Sequence, residues 1–137
     1  MAEAELDMKK VMVLFQKRYN SMREIDRLTA ELSAAMDRND EVSVALVLQM
    51  RADEMAGFDE CTHEIWQLGS GGKKALRTIR MLMQSDPEKS AGKSPEETKI
   101  YEIRRKTQAV IEKLRTLDEK LNRRAAGKGS FYVSGDR

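Results

Sequence analysis

The feature that most constrains this chain is an apolar seam in its last third, within the stretch from Ser94 to Arg124. Large aliphatic residues recur there at alternating three- and four-residue steps, interrupted only by Thr107: Ile100, Ile103, Val110, Leu114, Leu117 and Leu121. This spacing places them along one face of a helix of about eight turns. Because an apolar face of this length is not stable in water, the segment must pack against other helices.

The rest of the sequence also favours helices. Of the 137 residues, 35% are charged, 5% are aromatic and only two are proline, a composition typical of long solvated helices. No stretch shows the alternation that a strand needs. We therefore predict an all-α fold, an elongated antiparallel bundle of three long helices and one short one. It forms a single domain over residues 1–124, followed by a Gly-rich tail over residues 125–137.

Two long helices are predicted before the seam. Residues 2–38 contain neither Gly nor Pro and carry an apolar stripe at helical spacing. A polar cluster at residues 37–40 predicts a tight turn, because Asn39 or Asp40 can cap a new helix. The alternative is one continuous helix as far as Leu68.

A short helix and a loop connect these helices to the seam. The Gly-rich residues 69–72 predict a helix stop, and the short helix spans residues 73–84. Ser94, Pro95 and Glu97 stand where a capping box places its cap residue, its first helical residue and its acidic residue. They predict the start of the last helix, which we expect to end near Arg124.

Charge is divided along the chain. Residues 1–68 contain 8 Lys or Arg and 14 Asp or Glu, whereas residues 99–128 contain 10 and 4. This division predicts that the basic last helix lies against the acidic earlier ones. Arg51 and Glu54 interrupt the second stripe, and we expect both at an edge of the bundle, since a buried charge is costly.

Several function classes are disfavoured by composition. Cys61 is the only cysteine, so there is no internal disulfide, and on one helix it points about 200° away from His63, the only histidine. We therefore predict no metal, no cofactor and no thiol–imidazole catalysis. The basic residues lack aromatic stacking partners, which argues against nucleic acid. No signal peptide or membrane-spanning run is evident, so we expect a cytoplasmic protein without membrane insertion.

One short run resembles an enzyme family. The segment from Met22 to Leu28 is similar to the opening helix of helical chorismate mutases. That resemblance implies further basic groups, such as Arg38, that converge on a dicarboxylate substrate. It covers about one helix and implies a small helical enzyme as a distant alternative.

A longer resemblance covers the whole layout. The segment AAMDRNDEVSVALVLQMRADEM, its Arg51 and Glu54 pair, and the ending Tyr132-Val133-Ser134-Gly135 resemble flagellar type III export chaperones of the FlgN kind. This resemblance implies a non-enzymatic bacterial chaperone. Such a protein binds amphipathic terminal helices of unassembled hook-filament junction subunits and delivers them to the export apparatus.

The seam is our candidate partner-binding site. We expect contacts through Ile103, Val110, Leu114, Leu117 and Leu121, with the half from Val110 to Leu121 left open for the partner. Nine methionines also suit a groove that adapts to different helices. The alternative is a structural or adaptor coiled coil that forms a homodimer, and a weak homodimer is also compatible with the chaperone. Phe131 to Val133 in the tail are either a strap on the bundle or an exposed apolar segment.

Overall fold

The computed structural model describes residues 5–128, and over this range the chain forms four α-helices and no strand. The helices are α1 (Met8–Asp37), α2 (Glu41–Leu68), α3 (Lys73–Gln84) and α4 (Pro95–Lys128), with a 3₁₀ turn at Gly69–Gly71. The predicted all-α bundle of three long helices and one short one is confirmed. Helix α4 continues four residues beyond the expected end at Arg124, because Ala125 is still fully buried. The apolar segment 131–133 lies outside the described residues.

Helix α1 is the centre of the bundle. Helix α2 folds back along α1, and α4 runs beside α1 in the same direction, so that the first turns of α1 and α4 meet at one end and their last turns at the other. Both outer helices pack on α1. Side chains of α2 and α4 also belong to the same core clusters at the two ends of the bundle.

The apolar core is divided into three clusters along α1. The cluster at the α3 end includes Phe15, Ile65, Ile79 and Ile100, and the cluster at the opposite end includes Leu28, Leu32, Met36, Val44 and Leu121. The middle cluster contains just three buried residues, Met22, Ile25 and Leu114. The middle of the bundle is thus the least filled part of the core.

The turn between α1 and α2 is made by local chemistry. Asn39 adopts a φ of 56°, a left-handed conformation that Asn tolerates better than most residues. The Asp40 carboxylate then accepts hydrogen bonds from the Ser43 backbone N–H (3.0 Å) and hydroxyl (2.6 Å), which caps α2. These hydrogen bonds lower the pKa of Asp40, and the one from the Ser43 hydroxyl has the larger effect. The predicted tight turn is confirmed, and the continuous-helix alternative is wrong.

The start of α4 is fixed in the same way. Ser94 Oγ accepts from the Glu97 backbone N–H at 3.2 Å, and the Glu97 carboxylate accepts from the Lys93 backbone N–H at 3.1 Å. The predicted cap at Ser94 is therefore present, although the acidic residue reaches one position further back than in the usual capping box. Gly92 packs directly on this first turn of α4.

Candidate helix-binding groove

A groove lies between α2 and α4 at the level of the thin middle cluster. Its volume is about 380 Å³. Ten residues from three helices line it: Met22, Ile25, Arg51, Met55, Phe58, Asp59, Ile111, Leu114, Arg115 and Asp118. Six of these are apolar and four are charged, so the lining of the groove is mainly apolar.

Each of the three long helices has a different part in the groove. Met22 and Ile25 of α1 form its floor and are buried by the surrounding helices. Met55 of α2 is 42% exposed and stands at the opening, while Phe58 and Ile111 are partly buried against the middle cluster. An apolar side chain from another molecule could therefore replace water on Met55 and continue this cluster.

One end of the groove is closed by an ion pair between the two outer helices. Arg51 of α2 donates from Nη2 to both carboxylate oxygens of Asp118 on α4, at 3.2 and 3.1 Å. The expectation that Arg51 lies at an edge of the bundle is wrong, because its side chain is only 7% exposed. Burial is tolerated here because the guanidinium has a carboxylate partner, which a pattern along α2 alone cannot reveal.

The α2 wall beyond Phe58 is covered by Arg18 of α1. The Arg18 guanidinium lies 4.5 Å from the centroid of the Phe58 ring, and its Nε donates to Thr62 Oγ1 at 2.9 Å. Burial, with a smaller effect from the positive charge of Arg104, lowers the pKa of Arg18 to about 10. Arg18 thus remains a cation at neutral pH and holds α1 and α2 together on this side of the groove.

The five residues predicted for partner binding do not share one environment. Leu114 lines the groove and is 5% exposed, so it also belongs to the core. Ile103 and Leu121 are buried in the two end clusters. Val110 is partly buried beside the middle cluster and Leu117 beside the end cluster of Leu121. The half of the seam that we expected to be open is therefore mostly covered by α1.

Sequence reasoning did not identify the α2 side of the groove. Met55 and Phe58 appear in the sequence as members of one more apolar stripe, and Ile111 lies just off the seam of α4. The methionine content was the useful signal, since Met22 and Met55 both line the groove. Their flexible thioether side chains suit a surface that adapts to an incoming side chain.

The charge division is only partly neutralised inside the chain. Lys113 and Arg124 of α4 form ion pairs with α1, at 3.1 Å to Asp26 and 2.6 Å to Asp37. Helix α4 packs on α1, which contains six Lys or Arg and four Asp or Glu, so the predicted match of a basic helix to an acidic one is limited to these two ion pairs. Helix α2 contains six Asp or Glu residues, and within residues 5–128 none of them forms an ion pair.

The residues considered for chemistry do not converge. Cys61 is partly buried, and burial followed by the charge of Glu64 raises the pKa of its thiol, while His63 is exposed to solvent. The basic residues of the chorismate-mutase-like run also stay apart from the groove. Arg27 pairs with Glu24 and Glu31 on the surface of α1.

Across the part of the chain that the structure describes, no helix combines the length and apolar character needed to cross a membrane. Comparison of the chain with protein-family models, curated proteins and solved structures finds no match.

Proposed function

We propose that this protein binds an amphipathic helix of another protein in the groove between α2 and α4, without catalysing a reaction. The observation that carries this proposal is the groove itself, with its floor of buried apolar side chains and an exposed Met55 at its opening. Grooves of this kind accept a helix through a few apolar anchors spaced by three or four residues. Leu114 is the one residue of the predicted seam that faces this site.

The resemblance to flagellar export chaperones supplies the candidate partner. We propose a chaperone that holds unassembled hook-filament junction subunits by their terminal helices in the bacterial cytoplasm and passes them to the export apparatus. Such a task requires release as well as binding. An open groove beside a small middle cluster suits it, because a partner helix can leave without disrupting the two larger end clusters.

The test uses a purified hook-filament junction subunit and isothermal titration calorimetry. We expect binding to the wild-type protein and about tenfold or greater weakening in a Met55→Gln, Ile111→Gln double variant, because both changes place an amide in the apolar groove. The matched control is Val13→Gln, which alters an apolar side chain that is 50% exposed on α1 and lies outside the groove. Circular dichroism checks that all variants remain folded.

Three results would count against the proposal in different ways. If the subunit does not bind the wild-type protein, the proposed flagellar partner is wrong. If it binds the double variant as tightly as the wild type, the groove is not the site. If sedimentation shows a tight dimer that covers α4, the structural coiled coil replaces the chaperone.

A further inference from the structure

The outer face of α2, which points away from α1, has an unusual surface. Val42, Leu46 and Met50 are 81%, 60% and 38% exposed. Their four-residue spacing places them on one side of the helix. By contrast, the buried apolar side chains of α2 are those of Val44, Val47 and Ile65. Helix α2 therefore presents apolar side chains on the side of α1 and also on the opposite side.

Carboxylates continue the same line along the helix. Val42, Leu46, Asp53, Glu60 and Glu64 follow each other at intervals of four or seven residues, which aligns them over about six turns. All three acidic side chains are exposed, and the one strongly basic residue of α2, Arg51, is buried on the opposite side. The outer face is thus apolar in its first half and acidic in its second.

We propose that this outer face is a second docking surface, separate from the groove, for a basic amphipathic helix of another protein. The partner helix would place large apolar side chains over Val42 and Leu46, and Lys or Arg side chains over Asp53, Glu60 and Glu64. The apolar half gives affinity. The acidic half selects a partner of positive charge and sets its direction along α2.

The same face of a second copy does not fit the surface. Two α2 helices packed in parallel would place carboxylates opposite carboxylates. Packed antiparallel, they would place the apolar half of each against the acidic half of the other, which would remove charges from water without a partner. A helix of opposite charge avoids both costs.

The probe is a synthetic 18-residue helical peptide with a leucine face at one end and lysines at the other. We expect it to bind the wild-type protein, and the same peptide with Glu in place of Lys not to bind. Val42→Thr with Leu46→Gln should weaken binding about tenfold, because it removes apolar area without changing charge. Asp53→Asn with Glu60→Gln should weaken binding at low salt and abolish most of its salt dependence.

Two controls separate this surface from the groove. Val13→Gln should leave binding of the lysine peptide unchanged, and so should the groove variant Met55→Gln, Ile111→Gln. Loss of subunit binding in the groove variant with retention of the lysine peptide would support two independent sites. Equal loss of the peptide in the groove variant would overturn the second surface.

A crosslinking experiment identifies what covers the face. Leu46→Cys in a Cys61→Ala background is labelled with a thiol-reactive benzophenone, and Met55→Cys in the same background reports on the groove. Crosslinking of the lysine peptide through position 46 but not through position 55 supports the proposal. A crosslink from position 46 to residues 129–137 of the same chain, a crosslink to a second copy, or no crosslink to the peptide would overturn it.

Discussion

The ion pair between Arg51 and Asp118, which closes one end of the groove, offers a quantitative test of how strongly α2 and α4 are held together. Breaking a buried ion pair by removing one partner costs about 3–5 kcal/mol, whereas an exposed pair contributes up to about 1 kcal/mol. Here the Arg51 side chain is 7% exposed and that of Asp118 is 31% exposed. We therefore expect Asp118→Ala to lower the free energy of unfolding by about 2 kcal/mol, between these two limits.

The companion variant removes the buried charge. Arg51→Met keeps an unbranched side chain of similar reach but no longer needs a carboxylate, so it should destabilise less, by about 1 kcal/mol. Adding Asp118→Ala to Arg51→Met should then change little. The double-mutant cycle is expected to give a coupling free energy of about 2 kcal/mol between the two positions.

Urea unfolding followed by the fluorescence of Trp66, the only tryptophan, and by circular dichroism measures these free energies. The control is Glu31→Ala, which removes an ion pair whose side chains are both 50% exposed and should leave the urea midpoint almost unchanged. The reasoning fails if Asp118→Ala is no more destabilising than this control, or if the effects of the two changes simply add.

Three further predictions concern the turns and caps. Asn39→Gly should preserve stability because Gly adopts positive φ freely. Asn39→Val should lower the free energy of unfolding, measured in urea, by about 1–2 kcal/mol. Equal effects of the two substitutions would contradict a left-handed residue at this position. Gly92→Ala should lower the Tm, because the alanine Cβ would lie 2.7 Å from the Glu97 carbonyl carbon and closer still to the Thr98 nitrogen. An unchanged Tm would mean that the loop moves freely. The depressed pKa of Asp40 contributes stability that is present above pH 3.8 and is lost as the pH falls through the lower folded value. Between about pH 5 and pH 2, the Tm of the Asp40→Asn variant should therefore fall less than the Tm of the wild type. An equal fall in Tm for the two proteins would refute this contribution.

The structure changes how the seam of α4 should be interpreted. Ile103 and Leu121 hold the two ends of the bundle together, and only Leu114 combines a core position with access to the groove. A double change such as Leu114→Asp with Leu117→Asp would therefore disturb the core as well as partner binding. Variants of Met55 and Ile111 separate the two effects better, because these side chains are less buried.

The candidate site could be predicted only in part. The sequence indicated a helix-binding protein with adaptable methionines, and Met22, Met55 and Leu114 all line the groove. Its position could not be predicted, because it depends on how α2 and α4 pack on α1. That packing follows from contacts between residues distant in the chain.

The sequence by itself determined the secondary structure of this protein and most helix limits. Periodic apolar residues, the cap at Asp40 and the cap at Ser94 act over one or two turns, so their effect can be deduced from neighbouring residues alone. Only the tertiary structure decided the burial of Arg51, because its partner Asp118 lies 67 positions away in the chain. It also decided which apolar residues were left outside: α2 is apolar on two sides, and the packing of α1 against one side exposes the other.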